Sequence, residues 1–304
     1  MLDTIDTAVA AVCRPTLRTR LARCLGRTWA RLSYGYRVEP TWLELNRLAV
    51  PVTGLPKSFA GLRIAHLTDL HDGHHLPADY LDEAVDLALA EEPDVIVLTG
   101  DFIHKGYRHV DRVAATLRRL RAPLGVFAVL GNHDFSVRNA LGIRRHRNLH
   151  QAIADALSAN GLRVLRNECV RLQRGDASIL LAGLDDLWSR ECDPHRALGG
   201  LCPETPRVVL AHNPQTIHLL ESHRCDLMLS GHTHGGQVNW PGLGRFTLGR
   251  RSKRFAAGLY RYERSHVYVN KGIGWGSFRF RFNVRPEVAL LTLHAEPGHT
   301  SHAD

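Results

Sequence analysis

Short apolar runs alternate with amphipathic segments through the first half of the chain. Apolar side chains dominate residues 62–68, 94–99 and 125–130, which this pattern predicts to be buried strands. Residues 77–92 and 109–122 lie between them and repeat apolar positions at helical spacing. Strands that alternate with helices predict right-handed β-α-β crossovers and a largely parallel sheet.

The second half of the chain contains more strands than helices. Residues 148–160 predict a helix that ends at Asn160-Gly161, and residues 170–173 and 178–183 predict a hairpin. Further short strands are expected at 208–211, 227–230, 245–248, 258–262, 266–270 and 287–294. The whole pattern predicts an α/β fold.

Residues 1–36 differ from the rest of the chain because they predict a basic amphipathic helix. One face carries Leu17, Leu21, Cys24, Leu25, Trp29 and Leu32, and the other carries Arg20, Arg23, Arg27 and Arg31. Such a helix suits an anionic membrane surface, where arginine meets lipid headgroups. Packing against the main domain is the alternative, and a targeting or disordered role is a third. Residues 37–60 are expected to be a lead-in linker in extended or hairpin conformation, and residues 61–304 the main domain.

Composition and charge limit the possible function classes. The chain has 304 residues, with 44% apolar and 23% charged residues, and no run reaches the ~18 apolar residues that span a bilayer. The net charge of +9 comes almost entirely from arginine, which binds phosphate well, although a genomic preference for arginine codons explains it equally. Nucleic acid is not an expected partner, because the arginines are scattered. The oligomeric state is not predicted.

The expected location follows from the cysteines and the start of the chain. Six cysteines show no paired spacing, which is typical of free thiols in a reducing compartment. The start lacks the features of a secretory signal. We therefore expect a cytoplasmic protein, peripheral on the inner membrane face where residues 1–36 bind lipid.

Candidate metal ligands follow five of the predicted strands. They are Asp69 and His71, Asp101, Asn132 and His133, His212, and His232 and His234. The first three clusters are about one β-α-β unit apart, so they should reach the same edge of the sheet, where ligands bind in open α/β folds. Carboxylate, imidazole and amide ligands together suit first-row metals rather than calcium.

The order D-x-H, G-D, G-N-H-D, an isolated histidine and G-H-T-H resembles the calcineurin-like metallophosphoesterases over residues 60–294. The resemblance implies a four-layer α/β fold, with two packed mixed β-sheets flanked by helices and a metal site at the carboxyl ends of the strands. It implies a first metal held by Asp69, His71, Asp101 and His234. It implies a second metal held by Asp101, Asn132, His212 and His232. His133 would contact no metal and would protonate the leaving oxygen or stabilise charge on the phosphoryl group.

The implied cofactors are two divalent ions, with manganese expected and iron, zinc, cobalt or magnesium as alternatives. Two cations that share a carboxylate lower the pKa of a bound water, so hydroxide can attack phosphorus near neutral pH. The expected reaction is hydrolysis of a phosphodiester or pyrophosphate bond. Asp134 is expected either to orient His133 or to cap the turn. His74 and His75 are expected to be solvated or to contact substrate.

Two further motifs narrow the substrate. Residues 100–105 lack the second aspartate of the G-D-x-x-D-R motif of protein Ser/Thr phosphatases, which argues against that activity. Residues 270–287 resemble the YaeI/YkuE-type bacterial phosphodiesterase subgroup, which is close to membrane-associated enzymes that hydrolyse UDP-2,3-diacylglucosamine. A lipid-linked substrate follows from this resemblance; soluble nucleotide-type diesters are the alternative. A non-catalytic metal-binding scaffold is the alternative from a different class.

The same C-terminal stretch contains candidate substrate contacts. Arg279, Arg281 and Arg285 are expected to gather phosphate. Trp275, Phe278, Phe280 and Phe282 would then form an apolar rim. The alternative is a β-hairpin with the aromatic side chains inside and the arginines outside.

Overall fold

Two six-stranded sheets form the centre of the molecule. The computed structural model of the protein describes residues 16–77, 79–276 and 278–296. The strands are β1 (Glu44–Val52), β2 (Arg63–Leu67), β3 (Val95–Leu98), β4 (Val126–Ala128), β5 (Arg163–Val164), β6 (Glu168–Arg174), β7 (Ala177–Gly183), β8 (Arg207–Leu210), β9 (Leu227–Ser230), β10 (Gly258–Tyr262), β11 (Ser265–Val269) and β12 (Glu287–Ala295). The helices are α1 (Leu17–Arg37), α2 (Tyr80–Leu89), α3 (Val110–Leu117), α4 (Leu149–Ala159), α5 (Pro194–Leu198) and α6 (Arg250–Lys253).

Both sheets are mixed and mostly parallel. The first has the order β1-β12-β2-β3-β4-β5, in which β12 is antiparallel to β2 and parallel to β1. The second has the order β10-β11-β9-β8-β7-β6, with antiparallel pairs at its two edges. The predicted α/β architecture of two mixed sheets flanked by helices is confirmed.

The alternation of side chains along each strand separates the core into layers. In the first sheet, Ile64 and Val97 face the second sheet, whereas Ala65 and Ile96 face α2, α3 and α4. The second sheet packs its other face against α5 and the loops around it. The result is a helix, sheet, sheet, helix arrangement in which the carboxyl ends of both parallel sets open towards the same side.

Several elements differ from the sequence-based expectation. Residues 44–52, expected within a linker, form β1, which pairs with β12 along its whole length. Residues 245–248 form turns instead of a strand, because they lie between Gly244 and Gly249 in a glycine-rich loop. The five described cysteines are all free thiols, as expected.

Helix α1 touches the rest of the molecule mainly through its last turns. The backbone N–H of Arg281 donates to the carbonyl oxygen of Gly35 at 2.9 Å, and the ring of Tyr34 packs edge-on against Phe282. The predicted apolar face, Leu17, Leu21, Leu25, Trp29 and Leu32, is between 44% and 83% exposed. Residues 1–15 of the predicted helix lie outside the described residues. None of the helices in the described part has the length and hydropathy to cross a bilayer.

We expect acid to destabilise the fold through His66. Its imidazole is fully buried on β2, with Nε2 2.8 Å from Oγ1 of Thr99, and burial lowers its pKa from 6.5 to about 3. Below pH 6.5 the unfolded chain binds a proton that the folded chain does not, so the free energy of unfolding falls as pH falls towards 3. This single group contributes a slope of about 1.4 kcal/mol per pH unit in that range. Urea unfolding across this range measures the slope.

The variant His66→Gln isolates this contribution. Glutamine can still bond to Thr99 but does not titrate, so the unfolding free energy should depend less steeply on pH, by up to one proton. The control His294→Gln removes an exposed histidine from β12. A pH dependence in His66→Gln that equals that of the parent protein would contradict the burial argument.

Candidate metal centre

The five strand-end clusters meet where the carboxyl ends of the two sheets lie side by side. The loops after β2, β3 and β4 supply the ligands of the first sheet, and those after β8 and β9 supply the ligands of the second. All seven predicted ligands come together there: Asp69, His71, Asp101, Asn132, His212, His232 and His234. His232 is half-buried and the other six are buried.

The first group of ligands contains Asp69, His71 and His234. The Nε2 atoms of His71 and His234 face each other at 2.9 Å. Oδ1 of Asp69 lies 3.4 Å from Nε2 of His234 and 3.8 Å from Nε2 of His71. Oδ2 of Asp101 lies 3.4 Å from Nε2 of His71, so it closes this group on the side of the second one.

The second group contains Asn132, His212 and His232. Nδ1 of His232 lies 2.9 Å from Oδ1 of Asn132 and 3.2 Å from Nε2 of His212. Oδ2 of Asp101 lies 3.3 Å from Nε2 of His212. The same carboxylate oxygen therefore borders both groups.

Surrounding hydrogen bonds orient these side chains. Nδ1 of His212 donates to the carbonyl oxygen of Thr99 at 2.7 Å, which leaves Nε2 as the free ring nitrogen. The side-chain amide of Asn132 donates to the carbonyl oxygen of Val137 at 2.7 Å, which leaves Oδ1 facing the site. Oδ2 of Asp69 accepts from Oγ1 of Thr68 and from the backbone N–H of His232. Each of these three side chains thus presents one atom to the centre: Nε2 of His212, Oδ1 of Asn132 and Oδ1 of Asp69.

These residues fit two divalent cations. Oδ1 of Asp69 is buried and has no hydrogen-bond partner within the described residues, and a buried carboxylate oxygen without a partner is costly. Two imidazole nitrogens at 2.9 Å also need a proton or a cation between them. The donor set of carboxylate, imidazole and amide suits first-row divalent metals.

The backbone at the ligands is strained. Asp69, His71, Asp101, His232 and His234 all have φ between 47° and 69°. This left-handed region is unfavourable for residues other than glycine, and such conformations cluster at functional sites. Glycines in the motifs allow the loops to approach each other: a Cβ at Gly131 would overlap Oδ1 of Asp101, and one at Gly231 would overlap Oδ2 of Asp69.

Burial controls the charge state of the histidines. It lowers the pKa of His71 and of His234 well below 6.5 and that of His232 to about 3, so these rings are neutral, the form that binds metals. Burial alone would raise the pKa of Asp101, but His212 and His133 hold it well below its ordinary value. Burial would also lower the pKa of His212, but Asp101 raises it to about 10. A cation bound here would take the place of the proton on His212.

His133 stands at the edge of the first group. Its Nδ1 donates to the carbonyl oxygen of His104 at 2.7 Å, which leaves Nε2 available for proton transfer. Its ring centroid is 4.7 Å from that of His71, and its backbone N–H donates to Oδ1 of Asp101. His104 was not singled out from the sequence; besides its carbonyl oxygen, it places a ring nitrogen within 4.8 Å of ring nitrogens of His71 and His133.

Asp134 does not orient His133. Its Oδ2 accepts from the backbone N–H groups of Gly131 and Asp101, each at 2.8 Å, and its Oδ1 accepts from that of Phe102 at 3.0 Å. Asp134 therefore joins the loop after β4 to the loop after β3. Of the two expected roles, the capping role matches these contacts.

Two further residues border the second group and were missed in the sequence. The ring of Trp188 packs edge-on against His232, with centroids 4.6 Å apart. Burial raises the pKa of Asp186 to about 7, and its Oδ2 accepts from the backbone N–H of Trp188 at 2.7 Å. Asp186 follows β7 just as the other clusters follow their strands, and this position was the signal that could have identified it.

A cavity of about 490 Å³ opens from the first group towards α1. Its wall contains His71, three aromatic side chains and several cationic ones, which include Tyr36, Trp275, Phe278, Lys105, Arg108 and Arg279. We call it the aromatic cavity. His74 and His75 also line it, and Nε2 of His74 is 3.1 Å from the guanidinium of Arg108.

The three C-terminal arginines have different environments, which corrects the expectation that they act together. Arg279 lines the aromatic cavity. Arg281 is fully buried and donates to the carbonyl oxygens of Lys271, Gly272 and Val284 at 2.9–3.2 Å, so it supports a loop and cannot reach a substrate. Arg285 stacks on the ring of Trp42 at 4.0 Å. The alternative hairpin is also absent from the described part of residues 270–287.

Comparison with known proteins agrees with this geometry. The family model described as calcineurin-like phosphoesterase matches residues 62–236. The chain is 32% identical to phosphodiesterase YaeI of Escherichia coli over 88% of this chain and 94% of that protein. It is 31% identical to UDP-2,3-diacylglucosamine pyrophosphatase LpxG of Chlamydia trachomatis, over 89% and 94%, and 31% identical to metallophosphoesterase YkuE of Bacillus subtilis, over 86% and 89%. The chain therefore belongs to the calcineurin-like phosphoesterase family of hydrolases, as its motifs predicted.

Proposed function

We propose that this enzyme hydrolyses a phosphodiester or pyrophosphate bond in a lipid-linked substrate with the help of two divalent cations. One observation carries the proposal: Oδ2 of Asp101 lies 3.4 Å from a ring nitrogen of His71 and 3.3 Å from one of His212. A single carboxylate that borders both groups of donors is the arrangement that a pair of metals needs.

Each cation would have four protein ligands. The first would be held by Asp69, His71, Asp101 and His234. The second would be held by Asp101, Asn132, His212 and His232. Manganese is our first choice, and iron, zinc, cobalt and magnesium are also compatible with this donor set.

The residues of the chain position the reacting groups. When bound, the cations would supply Lewis acidity that activates water and neutralises charge on the phosphoryl group. His133, as an imidazolium, would donate a proton from Nε2 to the leaving oxygen, since its Nδ1 is committed to the carbonyl oxygen of His104. Asp134 would hold the loop of Asp101 against the loop after β4 through the backbone bonds that it accepts from Asp101 and Gly131.

The aromatic cavity supports an amphipathic substrate. It combines cationic side chains, which suit phosphate, with the rings of Tyr36, Trp275 and Phe278, which suit an apolar group. It begins at His71 and ends beside α1. The name of the relative LpxG specifies a diacylated sugar nucleotide, and a substrate of that kind would match both parts of the cavity.

Helix α1 supports contact with a membrane. It contains six arginines and no acidic residue, and its apolar face has no covering element in the described residues. Anionic lipid headgroups lie on the cytoplasmic leaflet, so this charge favours a peripheral position on that face. Tyr36 belongs both to α1 and to the wall of the aromatic cavity, so a bilayer under α1 would lie near the mouth of the cavity.

Removal of the shared charge should abolish activity. In Asp101→Asn, a neutral amide would replace the carboxylate between the two groups, so we expect bound metal to fall and turnover to drop at least about 100-fold. Elemental analysis and hydrolysis of bis(p-nitrophenyl) phosphate by the manganese-loaded protein measure both. The control Asp111→Asn removes an exposed carboxylate from α3 and should change neither. Full turnover by Asp101→Asn would refute the bridging role.

Loss of His133 should affect the leaving group and spare the metals. We expect His133→Asn to retain two bound metals and to lose about 100-fold or more in turnover of an alkyl phosphodiester, whose leaving oxygen needs a proton. The loss should be much smaller for a p-nitrophenyl ester, because p-nitrophenolate leaves without one. Equal losses on both esters would argue against proton donation, and loss of metal would make His133 a ligand.

Two charges on the apolar face of α1 should release the protein from lipid. We expect Leu21→Glu/Leu25→Glu to weaken binding to phosphatidylglycerol vesicles at least about 10-fold, because each change removes apolar burial and adds repulsion. Hydrolysis of bis(p-nitrophenyl) phosphate should not change. Leu243→Glu, at a 68% exposed leucine outside α1, is the control. If the double variant sediments with vesicles as the parent does, α1 is not the membrane contact.

A further inference from the structure

A second cavity, of about 300 Å³, opens beside His133. Its wall contains Lys105, Arg138, Arg145 and His146 together with His133. We call it the cationic cavity. It shares His104 and Lys105 with the aromatic cavity, so the two cavities lie on either side of these residues.

The positive charge of the cationic cavity is not balanced by nearby acid. No carboxylate is present among the residues that line it. Lys105, Arg138 and Arg145 are exposed, and none of them belongs to an ion pair found in residues 16–77, 79–276 and 278–296. Some arginines elsewhere on the surface do have acidic partners, as Arg112 has in Asp72 and Arg119 in Asp82. Three unpaired cations around one concave surface attract an anion, and guanidinium groups match the oxygens of phosphate.

We infer that the cationic cavity binds a phosphate group carried by the leaving half of the substrate. The inference rests on the proposed function, in which His133 protonates the leaving oxygen. Because His133 is part of the cavity wall, the leaving half is the part of the substrate that reaches Lys105, Arg138 and Arg145. Since the cavity begins at His133, the phosphate within its reach is the one that bears the leaving oxygen itself, and the scissile bond is then a pyrophosphate bond rather than that of a simple phosphodiester.

Hydrolysis of the pyrophosphate bond needs water as the only second reactant. The oxygen of a water molecule bonds to one phosphorus, and the bond from that phosphorus to the bridging oxygen breaks. The electron pair of that bond leaves with the bridging oxygen, which becomes part of a phosphate monoester. His133 donates a proton to this product. The attacking water releases two protons, of which one returns to His133 and the second is lost to solvent. Negative charge grows on the leaving phosphate as the bond breaks, so cations placed there stabilise the transition state.

The test compares substrates that differ in the second phosphate. UDP-glucose and UDP-2,3-diacylglucosamine contain a pyrophosphate bond, and bis(p-nitrophenyl) phosphate is a diester without one. The manganese-loaded full chain is compared with Arg138→Gln/Arg145→Gln and with a control of equal charge loss, Arg118→Gln/Arg121→Gln, at exposed positions outside both cavities.

We expect Arg138→Gln/Arg145→Gln to lower kcat/KM about 100-fold for the pyrophosphate substrates, which is about 10-fold for each lost charged hydrogen bond. For bis(p-nitrophenyl) phosphate the change should stay within about 3-fold, as it should for the control on every substrate. Arg138→Lys/Arg145→Lys should recover part of the loss, because it keeps the charge but not the planar fork.

The outcomes separate the two proposals. An equal loss on all substrates, or no loss beyond that of the control, would overturn the phosphate subsite and leave the proposed hydrolysis intact. If the parent protein hydrolyses bis(p-nitrophenyl) phosphate but neither pyrophosphate substrate, the phosphate subsite is again overturned and the proposed hydrolysis is left intact. If the protein binds two metals but hydrolyses none of the three substrates, the proposed function fails and the subsite fails with it.

Discussion

The buried carboxylate of Asp101 is the interaction on which the rest of the site depends. One oxygen faces imidazoles from both sheets, His71 and His212, and the other accepts the backbone N–H of His133. A buried negative charge is tolerated only with charged or hydrogen-bonding partners on all sides. The strand order supplies these partners by bringing the ends of β3, β4 and β8 to one point, and Asp134 holds the backbone of Asp101 there.

The glycines of the motifs have a steric explanation in this arrangement. Each of two glycines lies where the carboxylate of a neighbouring loop comes close to the backbone: Gly131 beside Asp101 and Gly231 beside Asp69. A methyl group at either position would push a ligand away from the centre. The glycine of the G-N-H-D motif is therefore required by its contact with Asp101, and that of the G-H-T-H motif by its contact with Asp69. In both cases the two residues lie on loops that are far apart in sequence.

Most strands, and the strand-end clusters that meet at the candidate metal centre, could be predicted, because buried runs that end in polar residues are a local signal. Strand β1 could not be predicted, because it contains Pro51 and a mixture of polar and apolar residues, which do not give a clear strand pattern. Its partner, β12, is also far away in the sequence. Arg279 and Arg281 show a second limit. They are two positions apart, yet Arg279 lines the aromatic cavity, whereas Arg281 donates hydrogen bonds to buried carbonyl oxygens. The sequence does not show in which direction the carbonyl groups of a loop point. The hydrogen bond from Nδ1 of His133 to the carbonyl oxygen of His104 was missed for the same reason.

The position of β12 between β1 and β2 has a consequence for synthesis of the protein. Val52 ends β1 and Glu287 begins β12, so about 235 residues separate a strand from its neighbour in the sheet. At roughly 5–20 residues per second, a ribosome needs on the order of ten to fifty seconds to supply that neighbour. During this time β1 and one edge of β2 have unpaired backbone groups, which makes them targets for chaperones and for aggregation. The part of the candidate metal centre that the first sheet carries can therefore reach its final geometry only after β12 has been synthesised.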